Sequence, residues 1–172
     1  MPSRFLLTVL IMMMTATLSS CQSNKSYVGE YLNLDTDLKI EFLIDADINQ
    51  DELGVPSPLF IRMYELKSDK MMKKADFIDI YENDKETLGA DLVGEVHKLK
   101  RFTPGVNRIE QFVLGKNTQY VGLYAEFFDF KESQFKVIFP VVSNNVFRNS
   151  VRVRVSANQI LFDSAADKPS AE

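Results

Sequence analysis

The sequence runs to 172 residues, with 20 Lys+Arg against 24 Asp+Glu, a formal net charge of −4, and 45% hydrophobic residues. Such a length suits one domain with a proper core, and the mildly acidic balance excludes the basic footprint that nucleic acid would need. Cys21 is the only cysteine, so no disulfide forms within the chain and the stability of an exported protein must come from packing alone.

Residues 1–20 have the layout of a secretory signal peptide. Arg4 is followed by an apolar run from Phe5 to Leu18 and then by small residues. The run falls short of the roughly 20 residues that a spanning helix needs, so it reads as a leader rather than a membrane anchor. Leu18-Ser19-Ser20-Cys21 looks like a bacterial lipobox, in which the cysteine is lipidated and becomes the first mature residue. The alternative is an ordinary signal peptide followed by an unmodified cysteine. Lipidation also accounts for an odd cysteine in an exported chain. Residues 21–37 then form the lipidated cysteine and a polar tether, which spans about 22 Å on average if flexible. The residue after Cys21 is Gln22. In lipoproteins of the enterobacterial type an aspartate there marks inner-membrane retention, so this resemblance implies the outer membrane.

Residues 38–163 read as a mainly β domain. From Leu38 to Ile48, Leu38, Ile40, Phe42, Ile44, Ala46 and Ile48 share one face, while Lys39, Glu41, Asp45 and Asp47 share the other. Strict period two predicts a strand with one face on a core and one in water. Asn49 to Pro58 is a loop punctuated by Gly54, Pro56 and Pro58, and Leu59 to Leu66 is a second, less cleanly alternating strand. Between about 69 and 90 the period changes, and this stretch reads as a helical insertion of two short helices. Phe77, Ile80 and Tyr81 suit a short helix, Asn83 and Glu86 resemble a capping box, and Gly89 suits a helix end. Further strands are expected over Leu92–Phe102, Asn107–Leu114, Tyr120–Phe128, Phe135–Val142, Val151–Val155 and Asn158–Phe162. Seven or eight short strands at this spacing predict an antiparallel two-sheet β-sandwich with short inserted helices. Residues 164–172 read as a frayed tail.

Catalytic motifs are absent. The chain holds no nucleophile elbow, phosphate loop or dinucleotide fingerprint, and its single histidine, His97, sits on a predicted strand as a packing or surface residue. Asp45, Asp47, Asn49 and Asp51 alternate like half of a calcium loop, but Gln50 and Pro56 stand where the sixth-position glycine and twelfth-position glutamate belong. No metal, cofactor or enzymatic activity is expected, nor a basic amphipathic helix to lie on a bilayer. The stretch Gln50-Asp51-Glu52-Leu53-Gly54-Val55 stands out because it places Leu53 and Val55 in a polar, proline-bounded loop. Loops on a rigid sandwich are where binding usually lives. Leu53 or Val55 tucking back onto the core is the equal alternative.

Several segments together resemble the outer-membrane lipoprotein of the type VI secretion system, the TssJ (SciN, VasD) family. They are Cys21, the first strand ending at Asn49, Pro56-Ser57-Pro58 leading into Ile61–Leu66, Ala75–Tyr81, Thr87–Leu92, Pro104-Gly105 and Tyr120–Phe127, in the family's order. Gln134-Phe135-Lys136 departs from it, since the family often shows Trp-Arg there. The resemblance implies a transthyretin-like sandwich and a non-enzymatic adaptor on the periplasmic face of the outer membrane. Its partner would be the periplasmic C-terminal domain of TssM, within the TssM–TssL membrane complex. The family's partner-contacting loop falls, by position, on Gln50 to Val55. A rival reading is a periplasmic lipoprotein that captures a small ligand or glycan in an aromatic-lined pocket of the sandwich.

Overall fold

Alternation sets the first strand, β1 (Leu38–Ile44), in which Leu38, Ile40, Phe42 and Ile44 are buried and the residues between them half-buried. The computed structural model describes residues 38–141 and 149–163. The leader, Cys21, the tether and the tail from 164 lie outside the described residues. Next come β2 (Ile61–Leu66), helices α1 (Lys70–Lys74) and α2 (Phe77–Leu88), and a 3₁₀ turn at Gly89–Asp91. After these come β3 (His97–Lys98), β4 (Arg108–Phe112), β5 (Tyr120–Ala125), β6 (Lys136–Pro140), β7 (Asn149–Ser156) and β8 (Gln159–Phe162).

The strands form two four-stranded sheets, in the orders β4-β1-β7-β8 and β3-β2-β5-β6. Their facing sides enclose the main core, which includes Phe42, Ile48, Met63, Phe102, Leu123 and Val153. All pairings between the named strands are antiparallel except β1 with β7, which run parallel with Ile40 opposite Val151. A parallel pair needs a long crossover, and here the whole of β2 to β6 supplies it.

A second core lies on the outer side of the β3-β2-β5-β6 sheet. Met72, Ala75, Phe77, Ile80 and Leu88 from the helices pack on Tyr64, Leu66 and Tyr124. This sheet is therefore buried on both faces, which is why β2 alternates poorly in the sequence. Gly122 has a specific reason: a Cβ there would collide with Met72 Sδ. Phe77 stacks on Phe130 at 4.5 Å between centroids. Burial pushes the phenols of Tyr64 and Tyr124 well above the ordinary tyrosine range. They stay neutral donors, Tyr64 to Asp84 and Tyr124 to the Phe77 carbonyl, both at 3.1 Å.

Four expectations need correction in detail. The first strand stops at Ile44 rather than Ile48, because the chain turns at Ala46-Asp47 and leaves Ala46 exposed, although Ile48 returns to the core. The strand expected over Leu92–Phe102 shrinks to His97–Lys98, with Leu92 and Phe102 held only by isolated bridges to Leu66 and Leu59. Gly94, at φ +70, breaks its run. Asn83 does interrupt α2, at φ −138 and ψ 49, but the carboxylate that takes up an exposed amide is Asp84's, on Lys85 N. Arg62 Nη1 donates to the carbonyls of Ile80 and Tyr81 just before this kink, both at 3.3 Å, so a sheet residue ends the helix's first segment. Finally, the two short helices expected within the insertion at about 69–90 are preceded by a third, α1 at Lys70–Lys74, ahead of the two segments that Asn83 divides.

Candidate partner-binding site

β1 delivers the chain to one end of the sandwich, where Asn49 fixes the base of the β1–β2 loop. Its φ of +50 is a left-handed conformation that asparagine tolerates better than most residues. The residue is buried and ties three loops together. Nδ2 donates to the Pro58 carbonyl at 3.0 Å, closing the β1–β2 loop on itself. Oδ1 accepts the Phe128 amide at 2.7 Å, from the β5–β6 loop. Its own backbone amide donates to the Ala157 carbonyl at 2.9 Å, in the β7–β8 turn.

Beyond Asn49 the loop is built on Asp51. Its Oδ1 accepts the amides of Leu53 and Val55, both at 2.9 Å. The Asp51 carbonyl accepts Gly54 N at 2.9 Å and its amide donates to the Val55 carbonyl at 3.0 Å. Gly54 supplies the φ of +76 that this turn requires. The result is a closed, internally bonded tip of the Asx kind. Leu53 projects from it 87% exposed and Val55 54% exposed, so neither tucks onto the core. Gln50, Glu52 and Gly54 are exposed as well, and Asp51 is half-buried.

A hollow of about 410 Å³ lies beside the loop, lined by Gln50, Asp51, Glu52, Phe128, Asp129, Phe130, Lys131 and Asn158. Phe128 is 59% exposed. The sequence expectation thus names one of the three segments that converge here and misses the other two. Phe128 is read from sequence as the end of a strand, and only tertiary structure brings it to Asn49. What this end offers chemically is an apolar knob, an exposed ring and a carboxylate-rich rim on a pre-ordered backbone, which suits docking of another macromolecule.

The other sequence candidates fall elsewhere. Asp45 pairs with Arg154 at 2.8 Å and Asp47 accepts the Ala157 amide at 3.4 Å, so the alternating acids serve the neighbouring strand and turn. Among the described residues no cluster of three or more His, Cys, Asp or Glu is placed to hold a metal. His97 Nε2 lies 3.0 Å from Glu65 Oε1 and its ring meets Phe112 edge-on. Glu65 itself is buried, with Oε2 accepting Gly115 N at 2.7 Å and Thr118 Oγ1 at 2.6 Å. It clasps β2 to the β4–β5 loop. Its signal is present in the sequence, as an acid in the core phase of a strand alongside Ile61 and Met63.

The family model described as "Type VI secretion lipoprotein, VasD, EvfM, TssJ" matches residues 36–158. The chain belongs to this type VI secretion lipoprotein family. Solved structures agree. The T6SS lipoprotein TssJ1 of Pseudomonas aeruginosa superposes with a TM-score of 0.68 at 25% identity, covering 80% of this chain and 99% of that one. Lip of Serratia marcescens, described as a membrane-bound component of the type VI secretion system, gives 0.63 at 19% identity, covering 76% and 99%. A chain of a structure described as the T6SS protein TssM C-terminal domain from EAEC gives 0.61 at 18% identity, covering 74% and 98%. The latter two speak for the fold. No curated protein matches. The TssJ family is one of secretion-system lipoproteins, not of enzymes, and among the described residues no helix is long and apolar enough to cross a membrane.

Proposed function

We propose that this TssJ-family chain is exported by its leader, residues 1–20, and anchored by acyl chains on Cys21 at the periplasmic face of the outer membrane. There it helps assemble the type VI membrane complex by binding the periplasmic C-terminal domain of TssM, itself part of the TssM–TssL assembly. Residues 22–37 are the tether. The loop Gln50, Asp51, Glu52, Leu53, Gly54 and Val55 is the docking element. The observation that carries this is Leu53, 87% exposed on a loop tip whose backbone is already hydrogen-bonded into shape. Interface energy concentrates in a few such apolar groups ringed by polar ones, and a pre-ordered loop loses little entropy on binding. The hollow beside the loop shares Gln50, Asp51 and Glu52 with it, so a partner gripping the loop covers the hollow too.

The test pairs two measurements on Leu53→Asp. Calorimetric titration with the TssM periplasmic domain should show affinity lower by about tenfold or more, the scale of one interface anchor. The thermal midpoint should stay within about 1 °C of the parent's, since an exposed tip contributes little to the core. Unchanged affinity removes Leu53 from the interface.

A further inference from the structure

The hollow beside the β1–β2 loop joins an open aromatic ring to charge that nothing balances. Phe128 lines it, and its ring, 59% exposed, meets no other ring and no cation among the described residues. The other ring in the wall, Phe130, is already stacked on Phe77. Around Phe128 stand three carboxylates, Asp51, Glu52 and Asp129, against one cation, Lys131. None of these four forms an ion pair among the described residues. The acids of β1 and its turn differ, since Glu41 pairs with Arg152 and Asp45 with Arg154.

We propose that this hollow receives an arginine side chain of the TssM periplasmic domain when that domain grips the docking loop. The proposal rests on the reading that the loop is the docking element. Continuity argues for one partner at both places, because Gln50, Asp51 and Glu52 belong to the loop and to the hollow. The carboxylates call for a cation and Phe128 for a planar one. A guanidinium stacks on an aromatic ring while its fork of donors reaches carboxylates, whereas an ammonium is a compact, strongly hydrated point charge. The walls are set before the partner arrives, since Asn49 holds the Phe128 amide and Asp51 holds its own loop. Leu53 then supplies an apolar anchor and the hollow supplies specificity. A partner without the basic group would cover the carboxylates and leave them unpaired, which costs affinity.

Two variants of the unacylated Cys21→Ser protein alter the hollow and spare the loop's internal bonds. Glu52→Gln with Asp129→Asn removes two charges at constant shape, and Phe128→Leu removes the ring but keeps an apolar side chain. In calorimetric titration with the TssM periplasmic domain, each should bind about fivefold more weakly than the parent. The double variant should also lose most of the parent's salt dependence. In parallel, acetyl-arginine-amide is added to the chain alone and followed by NMR, with acetyl-citrulline-amide as the uncharged control of the same shape. The arginine probe should move the amide signals of Glu52, Phe128 and Asp129 in the parent and not in the double variant. The citrulline probe should move them in neither. Unchanged affinity in both hollow variants, with Leu53→Asp still weakened, overturns the proposal and leaves the docking loop standing. A loss confined to the ring variant or to the charge variant overturns it too, as do equal responses to the two probes or none. Should the parent not bind the TssM domain at all, the docking reading falls instead, and the two probes on the chain alone still decide the hollow.

Discussion

Asn49 Oδ1 accepts the amide of Phe128 at 2.7 Å, across 79 positions of sequence. This bond, rather than any feature inside the loop, places the β1–β2 loop beside the β5–β6 loop. Asn49→Ala removes both side-chain ties and puts a residue without asparagine's tolerance at φ +50. We expect a loss of about 2–4 kcal/mol, from an unsatisfied buried donor plus left-handed strain. Asn49→Gly loses the same bonds but relieves the strain, so it should cost less. Denaturant melts of both variants check this, together with faster hydrogen exchange at the Phe128 amide. A cost below about 0.5 kcal/mol for Asn49→Ala, the ordinary scale of a surface change, refutes the tie.

Gly122→Ala drives a methyl into Met72 Sδ. Overpacking of this kind costs about 1–3 kcal/mol, and the strain has an outlet in α1, a helix of only five residues. The variant should lose stability, and limited proteolysis should open the Lys70–Lys74 segment first. Met72→Ala in the same background should recover part of the loss. No recovery means that the two residues do not meet.

Asp51 holds the loop tip through a single oxygen shared by two amides. Asp51→Ala frees the tip, so the partner must then order it. Affinity for the TssM periplasmic domain should fall by about tenfold, the size of one or two immobilised residues. Asp51→Asn keeps an acceptor oxygen and should retain most of the affinity. Surface plasmon resonance separates the two variants. Equal losses show that Asp51 acts through its charge instead.

Cys21→Ser should abolish acylation and release the protein from membranes. Membrane affinity grows by about 0.8 kcal/mol per buried CH₂, so several chains hold where a single chain is marginal. Radiolabelled palmitate incorporated into the variant refutes this site.

The strands with one buried face were legible because their alternation is a local signal. Leu38 to Ile44 shows it without interruption. The exposed Leu53 and Val55 were legible as apolar residues with no periodic partner. What escaped was non-local. β2 and β5 are buried on both faces, one by the facing sheet and one by helices, so Tyr64 and Tyr124 look out of phase in the sequence. α1 was legible only as part of a helical stretch and not as a separate helix, because five residues with three lysines carry no helical period and its anchor, Met72 over Gly122, is non-local. Asn49 reads as the end of a strand, and nothing near it in the chain announces Phe128 or Ala157.

β1 is hydrogen-bonded on both sides, antiparallel to β4 and parallel to β7. The acyl anchor would pull on it at Leu38, and a partner on the docking loop would pull from beyond Ile44. A tensile load between envelope and machine would therefore run along the axis of this central strand. With both points of attachment on one strand, the covalent backbone carries the load, and the hydrogen bonds to β4 and β7 hold β1 in place without bearing it. Such a pull would not shear one sheet strand against another, so anchor and partner could stay connected through β1 while the sandwich around it stays folded.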